Sequence, residues 1–239
     1  MSAVWRCPGQ DTRYWTPEDI FEEPCPHCGQ PVEFWKNDVS VRCPSCKKQA
    51  PNPKFDPGCA AWCSYAVQCL GPVALDYQRQ PQVVRDRLNA EVRKALMLTG
   101  QQEALNRSLK AASYVKELVK KEGGDMLVAV AAALLHEFPL NPGENGEAHG
   151  ETAEGIMSRL ELERPVVEEV QGILASLRGA GAGSEKTRNY EVVADAVVLA
   201  RLVSRMQLGQ EIPPVDGVQA SLHTSTAKTL ARQLLQTRS

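Results

Sequence analysis

The chain has 239 residues, 27 Lys+Arg against 29 Asp+Glu, a net charge of −2 and 43% hydrophobic residues. That length suits one or two domains. The composition is that of a folded chain rather than a disordered one, and the near-neutral charge supplies no field to hold nucleic acid non-specifically. The most apolar run without a charge, Met126 to Leu135, is ten residues, too short to span a bilayer. The opening MSAVWRCPGQ lacks the basic-then-apolar order of a secretion signal. A cytoplasmic protein is expected, one whose thiols stay reduced.

In chain order, the cysteines come first. All eight (Cys7, Cys25, Cys28, Cys43, Cys46, Cys59, Cys63 and Cys69) precede residue 70, and ten of the thirteen aromatic residues lie at or before Tyr77. The two ends of the chain are therefore built by different rules, and a domain boundary is expected near residues 76–81. A front module of this size buries little core and needs a staple, which in a reducing compartment is a metal. Cys25-Pro-His-Cys28 and Cys43-Pro-Ser-Cys46, separated by 14 residues, have the spacing of a four-thiolate zinc site. Between them, Pro31–Trp35 and Val39–Arg42 alternate like two short strands around the turn Lys36-Asn-Asp. These features predict a zinc ribbon, with Zn2+ on Cys25, Cys28, Cys43 and Cys46 and with His27 as a turn residue.

Cys7, Cys59, Cys63 and Cys69 remain. Their irregular spacing does not match a zinc knuckle and leaves three readings open: a [4Fe–4S] cluster on four thiolates, a second zinc, or free thiols. Residues 1–80 hold eight Lys/Arg and nine Asp/Glu, so the basic footprint of a nucleic-acid binder is missing. A structural or protein-contacting role for the ribbon is favoured.

From Pro81 the pattern has helical periodicity, with no convincing strand. Helices are expected at about 81–99, 101–122, 126–138, 151–160, 165–177, 187–208 and 224–236. Gly100 and Gly123-Gly124 act as stops and Asp125 as a cap. The third, apolar on every face, should be central. Three ionisable residues sit where burial is costly: His136-Glu137 at the end of that helix, and Asp195 inside the apolar stretch Val192–Val203. They read equally as a polar clamp in which His136 bonds Asp195, or as a metal or phosphate site at a helix crossing.

Arg107-Ser-Leu-Lys-Ala-Ala, Glu122-Gly-Gly-Asp125, Ala131-Ala-Ala-Leu-Leu-His136 and Tyr190-Glu-Val-Val-Ala-Asp195-Ala resemble the HD superfamily of metal-dependent phosphohydrolases over residues 100–205. The resemblance implies an all-helical fold. It also implies one or two divalent cations held by an early His, an adjacent His-Asp pair and a later Asp, which activate water against a phosphoester, often of a nucleotide. On it, His136, Glu137 and Asp195 would be the catalytic ligands. The chain departs from the pattern in several places. Ala104–Arg107 offers no early His. Glu137 replaces the Asp and moves its carboxylate by about 1.5 Å. Asp195 or Val197 fills the late position, and Ser176-Leu177 stand where some members carry His. His149 resembles an auxiliary His of some members, with a solvated helix-start residue as its alternative.

The expectation is thus a mainly α protein: a Cys-rich zinc-ribbon module with short β-strands (1–77) before an HD-like all-α domain (81–239) whose metal site is degenerate. The functional expectation is a regulatory protein that binds a phosphorylated small molecule, with a protein partner available to the ribbon. The alternatives are an active phosphohydrolase, and a ribbon that contacts nucleic acid.

Overall fold

Two β-hairpins, each closed at its tip by a Cys-Pro-x-Cys turn, follow two short 3-10 turns (Thr12–Tyr14 and Pro17–Asp19) in a computed structural model that describes residues 12–63, 65–140, 151–179 and 187–236. Cys7 and His149 lie outside the described residues, as does the side chain of Cys69. The chain divides into two compact units, Met1–Arg79 and Gln80–Ser239.

In the first unit, strand β1 (Ile20–Pro24) pairs antiparallel with β2 (Pro31–Trp35), and β3 (Ser40–Arg42) with β4 (Gln49–Pro51). The segments expected as two strands around Lys36–Asp38 do flank that turn, but they are not each other's ladder partners. Each pairs instead across its own cysteine turn, because the Cys-Pro-x-Cys segment reverses the chain and leaves its two flanks antiparallel. Alternation along β2 places Val32 and Phe34 inward. There they form a small core with Cys25, Cys43 and Ala50, and Phe21 stacks on Phe34 at 5.9 Å. Asn52 ties the hairpins together: its side-chain amide donates to the carbonyls of Trp35 (3.1 Å) and Asp38 (2.9 Å). Beyond the hairpins come two short helices that the sequence pattern did not announce, α1 (Ala66–Leu70) and α2 (Pro72–Gln78). They pack small residues, Ala60, Ala66 and Ala74.

Eight helices among the described residues make up the second unit: α3 (Pro81–Leu98), α4 (Gln102–Glu122), α5 (Met126–Leu135), α6 (Ala153–Arg159), α7 (Arg164–Leu177), α8 (Arg188–Gln207), α9 (Val215–Ala220) and α10 (Ser225–Gln236). The sequence reading has seven; α9, a six-residue turn behind Pro213-Pro214, is the addition. Helix α5 is central, packed on α3, α4, α7 and α8, with Val128 through Leu135 buried. Its start is fixed as expected: the Asp125 carboxylate accepts from the N–H groups of Leu127 and Val128, which would otherwise lack helical partners. Gly124 before it has φ of +119°, and a Cβ there would meet Asn189 Oδ1 at 2.7 Å, so only glycine fits. That same Asn189 oxygen accepts from the Asp125 N–H at 2.7 Å, which locks α5 to α8. No helix among the described residues is long and apolar enough to cross a membrane.

Candidate metal centre and helical site

The two cysteine turns are built alike. Cys25 N–H donates to Gln30 O and Gly29 N–H to Cys25 O, both at 2.8 Å. In the second turn, Cys43 N–H donates to Lys48 O (2.9 Å) and Lys47 N–H to Cys43 O (3.0 Å). Each turn needs a left-handed residue after its second cysteine: Gly29 (φ +75°) in the first and Lys47 (φ +61°) in the second. The outcome is four sulfurs all within 4.8 Å of one another, with Cys25–Cys46 and Cys28–Cys43 at 3.7 Å. Backbone N–H groups of Cys46 and Ser45 aim at Cys43 and pull its thiol down to about 6. Cys28 receives an N–H from Gln30 that lowers it, but burial and the neighbouring thiols outweigh this and push it up to about 11. Four thiols so crowded repel one another once ionised, and a cation at their centre removes that cost. The set could hold a metal ion, and a tetrahedral thiolate shell fits it. His27 Nε2 lies 3.0 Å from Gln49 O, outside the sulfur set.

Of the second cysteine set, the structure describes the side chains of Cys59 and Cys63. Cys59 lies in the turn Gly58–Ala61 and accepts at its carbonyl from Cys63 N–H (3.1 Å).

The helical residues singled out from the sequence divide into two places. Glu137, just past α5, is gripped by Arg107 of α4: Nε donates to Oε1 at 2.8 Å and Nη2 to Oε2 at 2.9 Å. Burial alone would raise the Glu137 carboxyl, but Arg107 and His136 overcome it and hold it at about 2. The His136 side chain is 2% exposed. Its Nδ1–H donates to Ala133 O at 2.8 Å, and its Nε2 lies 3.0 Å from Glu137 Oε1 but off the direction of a hydrogen bond.

Asp195 is elsewhere. Fully buried in α8, it accepts the N–H of His223 (2.8 Å), Nδ1–H of His223 (3.1 Å), and both the N–H (2.8 Å) and hydroxyl (2.7 Å) of Thr224. Its carboxylate thus anchors the entry to α10. Of the two open readings, the clamp in which His136 bonds Asp195 is replaced by these donors from His223 and Thr224. Nor do His136, Glu137 and Asp195 form a ligand cluster: among the described residues, only the four cysteines bring three or more such groups together. Ser176 sits in the last turn of α7, its hydroxyl bonded to Gly172 O at 2.9 Å.

Sequence reasoning missed Arg107, His223 and Thr224 as partners. They stand 28 to 30 residues from the carboxylates they serve, and no local pattern marks such pairs. Comparison with protein-family models, curated proteins and solved structures found no match.

Proposed function

We propose that the helical unit is a ligand-binding, regulatory relative of the HD phosphohydrolases, one that has given up the catalytic cation, and that a zinc-held ribbon precedes it. The ion pair of Arg107 with Glu137 carries this proposal. A hydrolase of that family needs its post-His carboxylate open to a divalent cation. Here a guanidinium grips both oxygens of that carboxylate, with bidentate geometry that is among the strongest of charge-assisted pairs. Asp195 is equally occupied, with four donors from His223 and Thr224. The donor set does not fit a catalytic metal. Lys110, one turn from Arg107 on α4 and without an ion pair among the described residues, favours an anionic small molecule there, in keeping with a phosphorylated ligand.

The test is turnover. Phosphate release from nucleoside mono-, di- and triphosphates with Mn2+, Mg2+ or Fe2+ should stay at background. Sustained release that disappears in a His136→Ala variant would overturn the proposal in favour of an active phosphohydrolase.

For the four-cysteine centre we infer zinc, because a closed thiolate shell offers no open position and suits a redox-inert ion. Metal analysis of anaerobically purified protein checks it and also decides the second thiol set. A brown protein carries an iron–sulfur cluster on Cys7, Cys59, Cys63 and Cys69; two zincs per chain mark a second zinc site; one zinc and no colour leave free thiols. The ribbon suits a protein contact better than nucleic acid. Its outer face sets Glu22 directly opposite Glu33, both exposed, and like charges there repel phosphate. We infer a cytoplasmic setting, where a four-thiolate metal site is commoner than disulfides.

A further inference from the structure

We infer that the groove between α4 and α8 is the ligand site, and that its ligand is a small phosphate monoester bearing hydroxyls; this rests on the proposal that the helical unit binds rather than hydrolyses. The groove holds about 390 Å³, within the range of small-molecule pockets. Six of its nine lining residues are polar: Asn106, Arg107, Lys110 and Ser113 from α4, and Ser204 and Gln207 from α8. None is a carboxylate and two are cations, in a chain that carries more acid than base. The other three lining residues are apolar.

One cation unpaired among the described residues, Lys110, and the spare donors of a second, Arg107, are placed to meet a phosphate. Arg107 and Lys110 stand three residues apart, hence on one face of α4. Arg107 uses Nε and one Nη2 hydrogen on Glu137, and the exposed Glu103 carboxylate stands 3.9 Å from Nη1, beyond hydrogen-bond reach, so N–H groups of Nη1 and Nη2 remain for another acceptor. Glu137 fixes the guanidinium plane, which spares a ligand the cost of ordering it. Lys110 forms no ion pair among the described residues; its ammonium rests 5.3 Å from the centre of the Tyr114 ring. Asn106 has its amide oxygen engaged by Gln102 Nε2 at 3.1 Å, which leaves its NH2 as donor. The Lys110 charge and the spare Arg107 N–H groups suit the phosphate, while the amides of Asn106 and Gln207 and the hydroxyls of Ser113 and Ser204 suit ligand hydroxyls. A carboxylate ligand would use the cations but carries half the charge at one point.

The experiment is calorimetric titration of the full-length chain with AMP, ribose 5-phosphate and glycerol 3-phosphate, with adenosine, ribose and citrate as counterparts. Lys110→Glu and Ser204→Asp each put a carboxylate into the groove from a surface position, and Arg201→Glu makes the same kind of change on α8 outside it. At least one phosphate ester should bind, about ten-fold or more tighter than its phosphate-free counterpart and than citrate. Each groove variant should weaken it by about ten-fold or more, while Arg201→Glu stays within about two-fold. Failure of all three esters to bind, equal binding of a phosphate-free counterpart or citrate, or groove variants that bind like wild type, overturns the inference. Phosphate release is followed in the same samples with added Mn2+. Release overturns the non-catalytic proposal, whatever the groove variants do. Binding without release that ignores the groove variants overturns the groove alone.

Discussion

The two units solve the same problem, the entropy of an ordered chain, by opposite means. The ribbon has a core of five buried residues, and two of these are the cysteines Cys25 and Cys43. The helical unit buries an unbroken apolar helix, α5, among four others. In the first, four clustered sulfurs that could hold a metal ion stand where apolar area is missing; in the second, apolar area is ample and polar groups act mainly at the helix ends. Stability in one should thus follow metal, and in the other packing.

Four measurements break or sharpen that contrast. Metal removal has the largest expected effect. A structural zinc supplies about 10–16 kcal/mol of apparent folding free energy in small zinc modules. Chelation, or Cys25→Ser or Cys43→Ser, should therefore abolish order over residues 20–51, seen as lost amide protection, and remove about one zinc per chain. Helical content from 81 onward should be retained. An ordered ribbon without metal would end the comparison. Next is Leu134→Ala in α5. Leu134 is 1% exposed, and the cavity should cost the helical unit about 2–5 kcal/mol in denaturant melts while zinc content stays constant.

Third is pH. Glu137 titrates at about 2 instead of 4.5. A depressed carboxyl stabilises the fold above its unfolded value and stops doing so as the pH falls through the folded one. The helical unit should lose on the order of 3 kcal/mol between about pH 4.5 and pH 2 from this group alone. Glu137→Gln should flatten that part of the stability curve; an unchanged curve would show that Arg107 contributes nothing there. The smallest effect belongs to the ribbon surface. Glu22→Lys turns the like-charged pair with Glu33 into an opposite-charged one, and should stabilise the metal-bound ribbon by about 0.5 kcal/mol. That gain should fade in high salt.

How far the sequence was legible follows from the range of each interaction. The four sulfurs were readable because a knuckle is local: Cys, Pro and the following left-handed residue carry the turn by themselves. The long helices were readable from their periodicity, and the start of α5 from Asp125 before an apolar run. Helices α1, α2 and α9 escaped because five to seven residues do not establish a period; α6, equally short, was read from its place between the Gly-rich loop that ends near Gly150 and Pro165. The burial of Asp195 was legible as a carboxylate inside an apolar stretch, but its partners were not. His223 and Thr224 reach it only once α10 has packed, and the same holds for Arg107 and Glu137. The resemblance to HD enzymes identified residues that are indeed polar and mostly buried; tertiary pairing then assigned them to an ion pair and a helix anchor rather than to one metal cluster.

Lys47 gives the four-cysteine cluster a direction. Its backbone occupies a conformation that glycine adopts freely and that costs an L-residue about 1–2 kcal/mol, whereas Gly29 fills the matching place in the first turn without strain. The halves of the clasp are therefore unequally sprung. Exchange with a competing chelator should begin by detachment of the Cys43–Cys46 arm, with the Cys25–Cys28 arm retaining the ion longest, and Lys47→Gly should slow the whole exchange by removing the weaker hinge.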